Sequence, residues 1–142
     1  MDVIWAIVII GLGLLAWLGQ ALAWRAPATA SRLGLAEAEG SVEAAFWADG
    51  RGEAAWDTAT LWTLVLAGVL LLIGEPAWAW LGLVAGGMYV YFGGRGILTR
   101  LELQRRGLRI GGPAGVRTAM IALALWAAAG AITIVAAVVE LA

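Results

Sequence analysis

The side chains best suited to chemistry are arginines and carboxylates, because the 142-residue chain contains neither histidine nor cysteine. Any general base must therefore be a carboxylate, and any metal site must consist of oxygen ligands alone. Six such residues lie where apolar stretches meet polar segments: Asp49, Arg51, Glu53, Asp57, Arg95 and Arg100. Carboxylates beside arginines can bind a phosphate group or a small anion, so these six residues form a candidate polar site. The spacing indicates no catalytic residue, no metal site and no cofactor.

The same charges have two simpler explanations, and the sequence leaves all three open. Residues 25–57 carry six carboxylates and three arginines, a net charge of −3, whereas residues 95–117 carry six arginines and one glutamate, a net charge of +5. The two segments should attract one another and dock. Alternatively, the arginines contact anionic lipid headgroups, at about 1 kcal/mol for each residue near a membrane surface. The candidates for lipid contact are Arg105, Arg106 and Arg109, together with Arg100.

Four uncharged stretches indicate the class of protein. They contain 22, 17, 19 and 22 residues and cover positions 3–24, 58–74, 76–94 and 118–139. As helices they reach roughly 33, 26, 28 and 33 Å, compared with a hydrocarbon core about 30 Å thick. With a hydrophobic content of 63%, they predict an all-α polytopic membrane protein. We expect residues 1–142 to form one integral membrane domain, a bundle of four transmembrane helices.

The predicted helices cover about residues 3–24, 56–74, 77–97 and 117–140, with polar connections at 25–55 and 98–116. A short amphipathic helix is predicted over about residues 41–48, because Val42 and Phe46 share one helical face. Gly50-Arg51-Gly52 should end it. The third helix can continue as far as Arg106 before glycines end it.

The basic residues predict the orientation. All nine are arginines, and all nine fall within 25–51 and 95–117, two segments that emerge on the same side if every stretch crosses the membrane. At the termini and in the turn at residues 74–76, the only charged side chains are acidic. By the positive-inside rule the arginine-rich side is cytoplasmic and both termini lie outside, as in a bacterial-type inner membrane. A re-entrant hairpin of the second and third stretches would leave this orientation unchanged.

The third helix carries a stripe of small residues with helical spacing. Its members are Ala79, Gly82, Gly86, Tyr89 and Gly93. Gly82 and Gly86 form a Gly-x-x-x-Gly pair, which in lipid lets two helix backbones approach closely, so we predict a helix contact along this face. The partner is either a second copy of the protein or the fourth helix of this chain, whose small residues are Ala122, Ala129, Thr133 and Ala137.

The residue types that the sequence lacks exclude more classes of function than its motifs indicate. The sequence has no ionisable residue at mid-depth of any predicted span, whereas proton- or sodium-coupled transporters normally need one. Basic residues without aromatic platforms do not indicate nucleic-acid binding.

The leading hypothesis is a non-catalytic assembly or accessory subunit that packs through its glycine-rich face in a homo-oligomer or a larger membrane complex. The first alternative is a lipid- or amphiphile-binding protein, with or without enzymatic activity, whose polar site lies at the cytoplasmic interface. The second is an oligomeric channel or facilitator.

Overall fold

Helices account for 84% of the chain in the computed structural model, which describes residues 2–142. Their bounds are Asp2–Arg25 (α1), Pro27–Arg32 (α2), Ala44–Thr60 (α3), Trp62–Leu72 (α4), Ala77–Arg105 (α5) and Pro113–Leu141 (α6), with a 3₁₀ turn at Glu39–Ser41. No strand occurs within the described residues, although Val42 and Ile110 form an isolated antiparallel bridge. The fold class is all-α, as the sequence predicts.

Three helical segments are long and apolar enough to cross a membrane: Val3–Arg25, Ala44–Leu72 and Pro113–Leu141. This finding confirms the prediction of transmembrane helices in part. α5 is as long as α6, at 29 residues each. However, residues 77–94 of α5 include five glycines, two tryptophans and two tyrosines, which lower its mean hydropathy. The described chain therefore has three clear candidate spans and a fourth long helix of less apolar composition.

The second candidate span begins earlier than the sequence indicates. α3 runs without interruption through Gly50-Arg51-Gly52. Each glycine in a helix interior costs about 1 kcal/mol, but the Arg51 guanidinium donates hydrogen bonds to the carbonyl oxygens of Ala23 and Trp24 at the end of α1. A cation at this position also suits the negative end of the α1 dipole. The predicted break at residues 50–52 is therefore wrong, and the separate amphipathic helix is not confirmed.

The interruption lies instead at Leu61, between α3 and α4. Three threonine hydroxyls near it donate to backbone carbonyls three or four residues earlier: Thr58 to Ala54, Thr60 to Trp56 and Thr63 to Thr60. Such bonds bend helices because they compete with the backbone ladder. The Leu61 carbonyl also accepts a hydrogen bond from the Tyr89 hydroxyl, at 3.0 Å. The interruption therefore helps to hold α5 in place.

α5 and α6 are the most extensively packed helix pair, and the glycine stripe lies between them. A Cβ atom added to Gly86 would lie 2.7 Å from the carbonyl oxygen of Gly130. One added to Gly93 would overlap the carbonyl oxygen of Leu123. Close approach of this kind requires residues without bulky side chains. In this structure the stripe contacts a helix of the same chain.

Aromatic side chains join α1 to the rest of the bundle through backbone carbonyls. Besides its bond to Leu61, the Tyr89 hydroxyl lies 3.3 Å from the carbonyl oxygen of Gly13. Two indole nitrogens also bridge helices: Trp17 Nε1 donates to the Thr58 carbonyl at 2.8 Å, and Trp126 Nε1 donates to the Leu12 carbonyl at 3.0 Å. Buried phenol and indole groups need such partners. These bonds therefore favour one position of α1 against its neighbours.

The two charged segments meet at one end of the bundle, which we call the charged end. The backbone amide of Glu43 donates to the carbonyl of Arg109 at 2.8 Å, next to the bridge between Val42 and Ile110. This contact ties residues 33–43, hereafter the strap, to the connection between α5 and α6. That connection is short, because α5 continues to Arg105, close to the extension to Arg106 that the sequence allows, and α6 begins at Pro113.

Candidate functional site

A cavity of about 690 Å³ lies at the charged end, between α1 and α6. Its volume falls within the range of about 300–1,000 Å³ that is usual for ligand pockets. Along α1 its lining extends from Leu15 to Ala23, and along α6 from Trp126 back to Ala114. The cavity therefore reaches from the middle of the bundle to the charged end. The strap, α3 and α5 complete its wall.

The lining changes in character along the length of the cavity. Toward the middle of the bundle the wall includes Leu15, Ala16, Phe92, Leu123 and Trp126. Toward the charged end it includes Glu37, Arg51, Glu53 and Arg100. A mostly apolar wall with a few charged groups at one end suits a ligand that has a hydrocarbon part and a polar headgroup.

Arg100 is a largely buried arginine with incomplete pairing. Its side chain is 16% exposed, and its Nη2 lies 3.6 Å from Oε1 of Glu37 in the strap. That separation is longer than a charge-assisted hydrogen bond of about 2.7–2.9 Å. Its Nη1 donates to the Gly96 carbonyl at 3.1 Å, and the guanidinium lies 5.4 Å from the ring of Phe46. Its Nε is buried and has no hydrogen-bond partner within residues 2–142.

Arg95, by contrast, lies against two carboxylates of α3, although its Nη1 makes no hydrogen bond of good geometry within the described residues. Its Nη2 lies 2.8 Å from Oδ1 of Asp49, and its Nη1 lies 2.5 Å from Oε1 of Glu53. Asp57 lies one turn beyond Glu53, is 5% exposed, and has an Oδ2 atom without a hydrogen-bond partner in the described part of the chain. Two carboxylates thus contact Arg95 and a third lies one turn further along α3, and this cluster does not favour an anionic ligand.

The structure divides the six residues of the predicted polar site between two places. Three of them line the cavity: Arg51, Glu53 and Arg100. The other three, Asp49, Asp57 and Arg95, lie outside its lining. Arg51 donates through its Nη1 to the carbonyls at the end of α1. Of the two arginines that line the cavity, Arg100 is the one with a buried Nε that has no hydrogen-bond partner within the described residues, which makes it the candidate to bind a ligand.

The arginines considered for lipid contact lie at the surface of the charged end. Arg105 and Arg106 pair with Glu102 in the last turn of α5, and Arg109 Nε lies 3.4 Å from Oε1 of Glu43. All three side chains are at least 66% exposed. Exposed pairs of this kind contribute little to stability, so they can exchange one partner for another. Their contact with lipid headgroups stays a prediction.

Sequence reasoning missed both the cavity and the role of Glu37. Glu37 is one of three glutamates in the strap, and nothing in their spacing distinguishes it. A signal for the cavity was nevertheless present. Small residues recur in the halves of α1 and α6 that lie nearer the charged end, at Gly19, Ala23, Ala119 and Ala122. All four line the cavity. Small residues on two helices leave space where those helices are not in close contact.

No family model, curated protein or solved structure matches this chain. The class is therefore defined by the fold and the site alone. The chain is an all-helical protein with three helices long and apolar enough to cross a membrane. An amphiphilic cavity lies at the end of the bundle where its charged segments meet.

Proposed function

We propose that this protein is a four-span membrane protein that binds an amphiphile in the cavity at its charged end. The observation that carries this proposal is the cavity itself, which is apolar near the middle of the bundle and charged where the bundle ends. In a bilayer that order of surfaces parallels the order of acyl chain and headgroup. The proposal concerns binding and assigns no reaction.

The length and packing of α5 support four complete crossings. Its 29 residues extend roughly 44 Å, more than the hydrocarbon thickness of about 30 Å. It packs against α4 and also against α6, whereas a re-entrant hairpin would call for shorter helices. With four crossings, the positive-inside rule makes the charged end cytoplasmic and places both termini outside. A bacterial-type inner membrane is the corresponding location.

The rim of the cavity supports entry of a hydrocarbon chain from the membrane. Leu15 lines the cavity and is also 56% exposed at the apolar surface of the bundle. Three neighbouring apolar side chains are similarly exposed: Leu18 on α1 and Ile121 and Leu125 on α6. An acyl chain in the surrounding lipid would therefore reach the cavity between α1 and α6 without passing through water.

The assembly role that the glycine stripe indicates stays an untested prediction. Gly86 and Gly93 are covered by α6 of the same chain, so an oligomer or a larger complex would have to use a different face. A channel formed by an oligomer would likewise need a contact face other than the glycine stripe, which α6 covers. Amphiphile binding is favoured because it has a specific structural observation in its support.

Gly19→Leu tests the proposal by filling the cavity. Gly19 lines the cavity, and a Cβ atom there would meet nothing within 4 Å, so the added side chain would occupy cavity space without displacing the backbone. We expect loss of co-purified lipid in native mass spectrometry in mild detergent. We also expect at least tenfold weaker quenching of tryptophan fluorescence by an amphiphile with a brominated acyl chain, because Trp126 and Trp47 line the cavity.

Gly11→Leu is the matched control. Gly11 lies on the same helix, also has nothing within 4 Å of an added Cβ atom, and is not part of the cavity lining. Both variants gain helix propensity to the same degree, so a difference between them reports the cavity. Equal lipid retention and equal quenching in the two variants would show that the cavity is not the binding site.

A further inference from the structure

The pairing of Arg100 leaves room for a better anionic partner than the protein provides. A buried guanidinium with an unpaired Nε and a carboxylate at 3.6 Å is incompletely compensated for its loss of hydration. Two parallel N–H···O bonds to one anion are the geometry that an arginine favours. Nε and Nη2 are the two donors of Arg100 without a hydrogen bond in the described residues. An anion with two oxygens would satisfy both.

The start of α6 adds positive potential to the same end of the cavity. Gly112, Ala114 and Gly115 belong to the cavity lining, and the N-cap residue Gly112 provides no side-chain hydrogen bond to the first amides of the helix. The first turn of α6 contains no acidic residue. Unpaired amides at a helix N-terminus favour a nearby negative charge.

Glu37 is the anion that this region now holds. It lies in the strap beyond Gly34, whose φ of +72° marks a sharp turn in the chain. Its side chain is 22% exposed. A Cβ atom added to Gly111, just before α6, would lie 3.0 Å from Glu37 Cγ. The Glu37 carboxylate is thus close both to Arg100 and to the segment that leads into α6.

We infer that Arg100 binds the acidic headgroup, a carboxylate or a phosphate, of the amphiphile whose hydrocarbon part occupies the cavity, and that Glu37 is the internal anion which the headgroup displaces. This inference rests on the proposed function, because it assigns the ligand class and a competitor to the same cavity. It makes the strap part of the site, since Glu37 must move away when the headgroup binds.

The test compares matched amphiphiles on the intact protein in mild detergent. The probes are a brominated fatty acid, a brominated lysophosphatidic acid and a brominated monoacylglycerol, which supply a carboxylate, a phosphate and a neutral headgroup. We expect the acidic probes to bind at least tenfold more tightly than the neutral one, by tryptophan quenching. Whichever acidic probe binds more tightly shows whether Arg100 prefers a carboxylate or a phosphate headgroup.

Variants at the two charged residues should shift binding in opposite directions. Arg100→Gln should weaken binding of the acidic probes at least tenfold and leave the neutral probe unchanged, while Arg100→Lys should restore only part of the loss because it lacks the fork of donors. Glu37→Gln should tighten binding of the acidic probes several-fold, because the competing anion is removed. Partial unfolding would weaken binding, so it cannot explain tighter binding of the acidic probes by Glu37→Gln. The controls are Arg32→Gln, at an exposed residue of α2, and Glu39→Gln, at an exposed neighbour in the strap.

The possible outcomes separate the inference from the proposed function. If the neutral probe binds as tightly as the acidic probes, or if Glu37→Gln does not tighten acidic binding, the inference is overturned while amphiphile binding stands. If Gly19→Leu leaves all three probes bound as in the wild type, the proposed function fails as well.

Discussion

At the scale of single residues, arginines that look alike in the sequence have different environments. Arg95 is held by two carboxylates of α3, and Arg51 caps the end of α1. Arg100 is buried with an unpaired Nε, whereas Arg106 is exposed beside Glu102. These differences in burial and pairing separate the arginines that hold helices together from Arg100, the one that we propose to bind a ligand.

Arg95→Met should destabilise the protein by about 1–2 kcal/mol. It would leave the carboxylates of Asp49 and Glu53 without their cation, beside the buried carboxylate of Asp57. Thermal unfolding in detergent measures the effect. Arg106→Met, at the residue that directly follows α5, is the control, because its pair with Glu102 is exposed and should contribute less than about 1 kcal/mol. Equal losses in the two variants would contradict the structural importance of the Arg95 cluster.

At the scale of helices, neighbouring glycines of α5 differ in what surrounds them. An added Cβ atom on Gly86 would lie 2.6 Å from Ile134 Cγ1 and 2.7 Å from the Gly130 carbonyl, whereas one on Gly87 would meet nothing within 4 Å. Close backbone approach thus depends on Gly86 and not on Gly87. Glycine outside this contact only lowers the stability of the helix.

Gly86→Ala should therefore destabilise the bundle, by about 1–3 kcal/mol, because even one methyl group forces α5 and α6 apart. Gly87→Ala should have the opposite sign and stabilise the helix by up to about 1 kcal/mol. Melting temperatures of both variants in the same detergent provide the measurement. If Gly86→Ala were as stable as Gly87→Ala, the close α5–α6 contact would be wrong.

At the scale of the whole molecule, helix packing brings the arginine-rich segments together at one end of the bundle. The arginine-rich segments meet at the charged end through ion pairs from Arg95 and Arg100 to α3 and the strap. The turn between α4 and α5 lies at the opposite end, where Glu75 is exposed. A bundle with this distribution has one end suited to the cytoplasmic side of a membrane.

The proposed topology can be tested with single cysteines, because the chain contains none. Cysteines at Glu75 and Glu140 should react with an impermeant thiol reagent added to intact cells. Cysteines at Arg32 and Arg106 should react only after the cells are opened. All four positions are exposed, so burial does not explain a difference. Labelling of Arg106→Cys from outside would reverse the orientation.

The sequence by itself determined the helical class and the location of the first and the last of the three candidate spans. Hydropathy and charge act through the solvent that surrounds each stretch, so a local run such as 3–24 or 118–139 is sufficient to indicate a helix that can cross a membrane. The helical spacing of Gly82, Gly86 and Gly93 likewise identified a face of α5 that could pack closely.

Only the tertiary structure decided which groups meet. Gly50 and Gly52 were expected to break a helix because propensity is local, but Arg51 contacts α1 residues 27 and 28 positions away, and α3 continues through them. Arg100 meets Glu37 across a separation more than twice as long, and the cavity exists because α1 and α6 lie apart near the charged end. Such contacts depend on how complete helices pack, which short-range patterns in the chain do not specify.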